Sequence, residues 1–185
     1  GDVQLVHRGV VPLDVQLAEV AYDPERDASI PVLKQPPDPA LIEQALDLVL
    51  QAKNPVMIMG GGVLLAGASD VCVALAEYLS LPVITTYMAT GGIPAQHPLH
   101  VGHVGIQVGQ PIGNAVLLES DLVLGIGCRF TDRHTGNLSV YRKGRKFIHI
   151  DIEPAQIGKV FQPDLGIVSD AGKAVAALSE AVRES

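Results

Sequence analysis

Five short stretches hold the residues of this chain that could do chemistry, and each follows an apolar run. Gly60-Gly61-Gly62 follows Val56-Met57-Ile58-Met59. Thr85-Thr86-Tyr87-Met88 ends the run from Val83. Gly127-Cys128-Arg129, with Asp132 and Arg133 just beyond, follows Leu122-Val123-Leu124-Gly125-Ile126. Asp151-Ile152 and Ser169-Asp170 end two further runs. Glycines without side chains let a ligand approach the backbone, whose N–H groups can face phosphate oxygens. A tight strand-to-helix turn needs the same small residues. Leu65 stands where a third fingerprint glycine belongs, and no P-loop lysine follows, so the glycine run is weak evidence by itself. Asp151 could accept from ribose hydroxyls or cap the segment after Glu153-Pro154, and Asp170 could do the same or cap the last helix. Arg129 and Arg133 can pair with phosphate or carboxylate, or form surface pairs with Asp132.

Catalytic patterns are missing. The chain has no Gly-x-Ser-x-Gly elbow, no cysteine with an evident base and no paired carboxylates that fix a reaction. His97, His100 and His103 are spaced by three, but Pro98 and Gly102 argue against a helix that would align them, so we expect loop histidines and no metal. Cys72 and Cys128 lack disulfide or zinc spacing and read as small buried hydrophobes.

The elements that must position these residues alternate. Asp38-Pro39 is a helix start, and Ile42, Ala45, Leu46 and Val49 recur on one helical face. Asn54-Pro55 stops that helix. Val71, Ala74, Leu75 and Tyr78 predict a second helix, Ile112 to Leu118 a third, and Ala171 to Arg183 a last one. Apolar runs at Val56–Met59, Val83–Thr86, Leu122–Gly127, Lys146–Asp151 and Leu165–Val168 lack polar alternation, as strands buried on both faces do. Strands of that kind separated by helices predict a doubly wound α/β domain with a parallel, Rossmann-like sheet of at least five strands. Ligands of such sheets bind beyond the C-terminal strand ends, where the five stretches lie. Residues 1–37, rich in proline, predict a linker or approach segment to a domain over 38–185, and suggest that something precedes it in a longer protein.

Composition narrows the partners. Of 185 residues, 13 are Lys or Arg and 20 Asp or Glu, a formal charge of −7, while aromatics are 4% and Trp is absent. That leaves neither a basic footprint nor a stacking platform for nucleic acid. Glu119, Asp121 and glycines cut the apolar runs short of a membrane span, and no leader pattern is visible, so a cytoplasmic location is expected.

The run from Gly127 through Thr135-Gly136, then Gly144-Arg145 through Asp151-Ile152-Glu153-Pro154 to Gly158, and then Pro163 to Ala171, closely resembles the central domain of thiamine-diphosphate enzymes of the acetolactate synthase group. The likeness covers roughly residues 11–183. It implies a middle domain flanked by a pyrimidine-binding and a diphosphate-binding domain, which would bind thiamine diphosphate and Mg²⁺, in a homo-oligomeric carboligase or carboxy-lyase. It further implies that this domain holds FAD without redox use and has no turnover alone. By resemblance the FAD contacts are Gly60, Gly61, Gly62, Thr86, Tyr87 and Met88, then Val101, Gly102, His103 and Val104. They continue at Gly127, Cys128, Arg129, Thr131, Arg133, Asp151, Ile152, Asp170 and Ala171. The rival readings are a stand-alone nucleotide-binding module and a structural spacer.

Overall fold

The computed structural model describes residues 12–27, 33–105 and 111–184. The chain divides into two units, Gly1–Leu33 and Lys34–Ser185. In the first, the stretch expected as extended linker carries one helical turn, α1 (Leu13–Gln16), entered through Pro12. Asp23 folds the next stretch locally by accepting from Glu25 N (3.0 Å) and Arg26 N (3.3 Å). Residues 1–11 lie outside the described ones.

The second unit is built on six parallel strands: β1 (Pro55–Met59), β2 (Val83–Thr85), β3 (His100–His103), β4 (Leu122–Ile126), β5 (Lys146–Asp151) and β6 (Leu165–Val168). Their order is β3-β2-β1-β4-β5-β6. The chain starts in the middle, winds outward, then returns and winds the other way, so the switch lies between β1 and β4. This is the doubly wound, Rossmann-like α/β sheet that the apolar runs predict. Pairing there is in full register from Pro55↔Leu122 to Met59↔Ile126.

Alternation sorts each strand into two cores. Met57 and Met59 enter one, with Leu124, Ile148 and Ile167, while Val56 and Ile58 enter the other, with Val123 and Phe147. The first core is covered by α2 (Pro39–Gln51), α3 (Gly61–Ala66), α4 (Ser69–Leu79) and α8 (Ala171–Glu184). The second is covered by α5 (Pro111–Glu119) and α7 (Leu138–Tyr141), beyond the short α6 (Asp132–Thr135). Each large side chain taken from water here contributes about 2 kcal/mol.

The start of α2 is as expected: Asp38 Oδ1 accepts from Ala40 N (2.9 Å) and Pro39 opens the helix. Its buried face is Ile42, Ala45, Leu46 and Val49. The expected α4 face is corrected. Cys72, Leu75 and Ala76 are buried, while Val71, Ala74 and Tyr78 face out. The histidines are corrected too: His100 and His103 lie in β3, not in a loop. Gly113 of α5 makes that strand pack closely, since a Cβ there would come within 2.1 Å of the His103 carbonyl oxygen. The C-terminal ends of α5 and α7 are joined by Arg145, which donates to Leu117 O (2.7 Å), Leu118 O (2.9 Å) and Val140 O (3.1 Å). Among the described residues no helix is long and apolar enough to cross a membrane.

Candidate cofactor site

A cavity of about 610 Å³ opens over the C-terminal ends of β1, β2, β4 and β5. Its size falls in the roughly 300–1,000 Å³ range of small-molecule sites, and it lies at the switch in strand order. Backbone geometry builds its floor. Gly60 N donates to Ile126 O (2.8 Å), Gly62 N to Gly127 O (3.0 Å), and Gly127 N to Ile150 O (2.8 Å). The loops after β1 and β4 therefore touch backbone to backbone. A Cβ on Gly60 would stand 2.1 Å from Gly127 O, and one on Gly62 2.8 Å from Gly127 Cα. Those glycines are required first by this approach between loops, and Gly61, Gly62 and Gly127 are left lining the cavity.

Of the residues expected at a ligand, the cavity gathers Gly61, Gly62, Thr86, Tyr87, Met88 and Val104 from the β1–β3 side. From the other side come Gly127, Cys128, Arg129, Thr131, Arg133, Asp151 and Ile152. Gly60 supports the floor instead. Val101 packs into the second core, Gly102 bends β3 at φ +100°, and His103 Nδ1 meets Thr85 Oγ1 at 2.6 Å. Asp170 caps α8, its Oδ1 accepting from Lys173 N (3.1 Å), and Ala171 is buried in that helix's first turn. None of these six lines the cavity. Residues 106–110, between Gly105 and α5, lie outside the described residues.

Arg129 and Arg133 are exposed on the cavity wall and enter none of the ion pairs found among the described residues. The surface pairing with Asp132 is absent, since Asp132 Oδ1 accepts from Arg133 N (2.9 Å). Opposite in charge, Asp151 is buried, with Oδ1 accepting from Glu153 N (2.9 Å). Glu153 in turn caps the next turn through Ala155 N (3.0 Å), so Asp151 is not that turn's cap. Exposed Leu65, Tyr87, Met88 and Ile152 form an apolar rim. Guanidinium groups, a strand-end carboxylate and an apolar rim fit phosphates, a ribose and a planar ring in that order.

The sequence reading missed Phe130, which lines the cavity and is buried. Its φ of +49° is a left-handed conformation that costs about 1–2 kcal/mol for a residue with a side chain. The ring is clamped by His134 (5.4 Å), Phe161 (5.2 Å) and His149 (4.8 Å), and Gly125 in β4 leaves the room it fills. Its place between Arg129 and Thr131 was the available signal. Leu65, Gly105, Glu153 and Gln156 also line the cavity unannounced.

Burial sets the protonation of this wall. The Cys128 thiol is pushed up by burial and by Asp151, so it is no nucleophile. His134, whose Nε2 lies 3.0 Å from Tyr141 Oη, is pushed down to about 4 by burial. Unfolded, the same ring titrates near 6.5, so the unfolded state binds more protons between those values. The stability contributed by the buried neutral His134 is therefore complete above about pH 6.5 and falls by up to about 3 kcal/mol towards pH 4. Urea unfolding against pH should show this loss, and His134→Gln should flatten it by about one proton.

The family model described as the thiamine pyrophosphate enzyme central domain matches residues 42–178, which hold the whole cavity wall. The chain belongs to that family. This central domain is 49% identical over 174 residues to glyoxylate carboligase of Escherichia coli O157:H7, covering 94% of the chain and 29% of that protein. It is 41% identical over 177 residues to the acetolactate synthase large subunit of Corynebacterium glutamicum, covering 95% and 28%. A probable acetolactate synthase large subunit of Methanococcus aeolicus is 47% identical over 133 residues, 72% of the chain and 22% of the relative. The central domain thus spans less than a third of the length of these curated relatives.

Proposed function

We propose that this chain is the FAD-binding central domain of a glyoxylate carboligase, with the adenosine diphosphate half of the cofactor in the cavity between β1 and β4. The observation that carries this reading is the meeting of Arg129 and Arg133, without an ion pair among the described residues, with Asp151 at the switch of strand order. Arg129 and Arg133 would hold the diphosphate. Asp151 would accept from the ribose hydroxyls. Met88, Tyr87 and Ile152 would flank the flavin end. Likeness to a protein named glyoxylate carboligase, at 49% identity, supports glyoxylate as substrate.

Two glyoxylic acids, C₂H₂O₃ each, balance tartronate semialdehyde, C₃H₄O₄, plus CO₂ with no electrons over. FAD would accordingly act as a structural brace, and thiamine diphosphate with Mg²⁺, held by flanking pyrimidine-binding and diphosphate-binding domains, would supply the carbanion chemistry when bound. The apolar rim suits contact with those domains or with a second subunit of a cytoplasmic homo-oligomer. Acetolactate synthase activity is the second reading, supported by relatives of that name at 41% and 47% identity.

The test is CO₂ release by the purified intact protein supplied with thiamine diphosphate and Mg²⁺. Glyoxylate should be turned over at least about tenfold more efficiently than pyruvate, a difference of about 1.4 kcal/mol. The reverse order would transfer the assignment to acetolactate synthesis.

A further inference from the structure

His149 of β5 is 3% exposed, and its Nε2 is one of two buried side-chain nitrogens without a hydrogen-bond partner among the described residues. Its in-register neighbours are Gly125 and Gly166, and Phe130 meets the ring at 4.8 Å and 88°. Asp151 lies two residues further along β5 and so on the same face. Nε2 stands 4.0 Å from Asp151 Oδ2, about 1 Å beyond hydrogen-bond reach. The Asp151 charge and the Cys128 backbone favour the protonated ring, and burial opposes them. A neutral imidazole has only one N–H. With that proton on Nδ1, Nε2 turns a lone pair toward a carboxylate oxygen that is also an acceptor, and neither can close the gap.

We propose that His149 is a positioning residue for Asp151: neutral, it holds Oδ2 off and open to a hydroxyl donor in the cavity, and protonated, it donates to Oδ2 and closes that acceptor. The inference rests on the ribose contact proposed above and adds a proton-linked control of it. The titratable groups nearest the ring are Asp151 on its own strand and the Cys128 thiol, which stands over the in-register Gly125 of β4, while β6 presents Gly166 and His134 lies across Phe130. Burial holds His149 below its ordinary 6.5, outweighing the Asp151 charge and the Cys128 backbone, so the change falls on the acid side of neutrality.

The experiment measures Kd for ADP and for 2′,3′-dideoxy-ADP, which lacks the ribose diol, at about pH 7.5 and about pH 5. In the unaltered protein ADP should bind at least about tenfold tighter than the dideoxy compound at the higher pH, and that ratio should fall about threefold or more at the lower. His149→Phe should give one ratio at both pH values. His149→Gln, whose amide always donates, should give a low ratio at both. A ratio that ignores pH in the unaltered protein, or a Phe variant that follows it, overturns the proposal. Absence of any diol preference at the higher pH overturns the ribose contact as well, and with it the function proposed above. Should the variants not fold, the imidazole ¹⁵N titration of His149 decides: ADP should lower its midpoint and dideoxy-ADP should not. A midpoint unmoved by ADP overturns the proposal.

Discussion

Replacing Gly60 with alanine should destabilise the protein by about 3 kcal/mol or more. The new Cβ would lie 2.1 Å from Gly127 O and 2.5 Å from Cys128 Cβ. These are backbone and Cβ atoms that no rotamer change can remove. Yielding would break Gly60 N to Ile126 O or Gly62 N to Gly127 O, the bonds that bring the β1 and β4 loops together. At Gly67 the backbone is left-handed but nothing stands within 4 Å of an added Cβ. Gly67→Ala should therefore cost only about 1 kcal/mol. Urea unfolding of the two variants checks the contrast, and equal costs would contradict the close approach of the loops.

Removing both Arg129 and Arg133 as alanines should weaken ADP binding by about two to four orders of magnitude while leaving the unfolding free energy within about 0.5 kcal/mol. Both side chains are exposed and carry no ion pair among the described residues, so their charge is available to an anion and contributes little to the fold. Charged hydrogen bonds to a diphosphate contribute about 1.5–3 kcal/mol each, and about 1.4 kcal/mol is a factor of ten in Kd. The variant's remaining affinity should also respond less to added salt. Isothermal titration at two salt concentrations measures both effects. An unchanged Kd would remove the phosphates from this wall.

Much of this was legible in the residues because the sheet is buried on both faces. Uninterrupted apolar runs marked five strands, the Asp38-Pro39 start marked α2 with the core side expected, and the stretch from Ala171 to Arg183 marked α8. Strand β3 was hidden because His100-Val101-Gly102-His103 at a sheet edge needs no apolar run. Helix α3 was hidden behind Gly61-Gly62, residues that ordinarily disfavour helix but are fixed here by the Gly127 loop. The α4 face slipped because Val71 and Tyr78 carry the right apolarity on the solvent side, while the small Cys72 and Ala76 face inward.

The site was read from strand ends, and that rule brought Gly61, Arg129 and Asp151 to one cavity. It overreached at Asp170, where β6 ends one strand too far from the switch and the carboxylate caps a helix. It fell short at Phe130 and His149, because a buried aromatic clamp and an orphaned ring nitrogen are properties of packing that no spacing along the chain encodes.

The most direct measurement is a crystal structure of the intact protein grown with FAD. Adenosine diphosphate density between the ends of β1 and β4, with the ribose on Asp151 and phosphate oxygens on Arg129 or Arg133, is the predicted result. An empty cavity at saturating FAD, or flavin bound at another face of the sheet, would contradict the account.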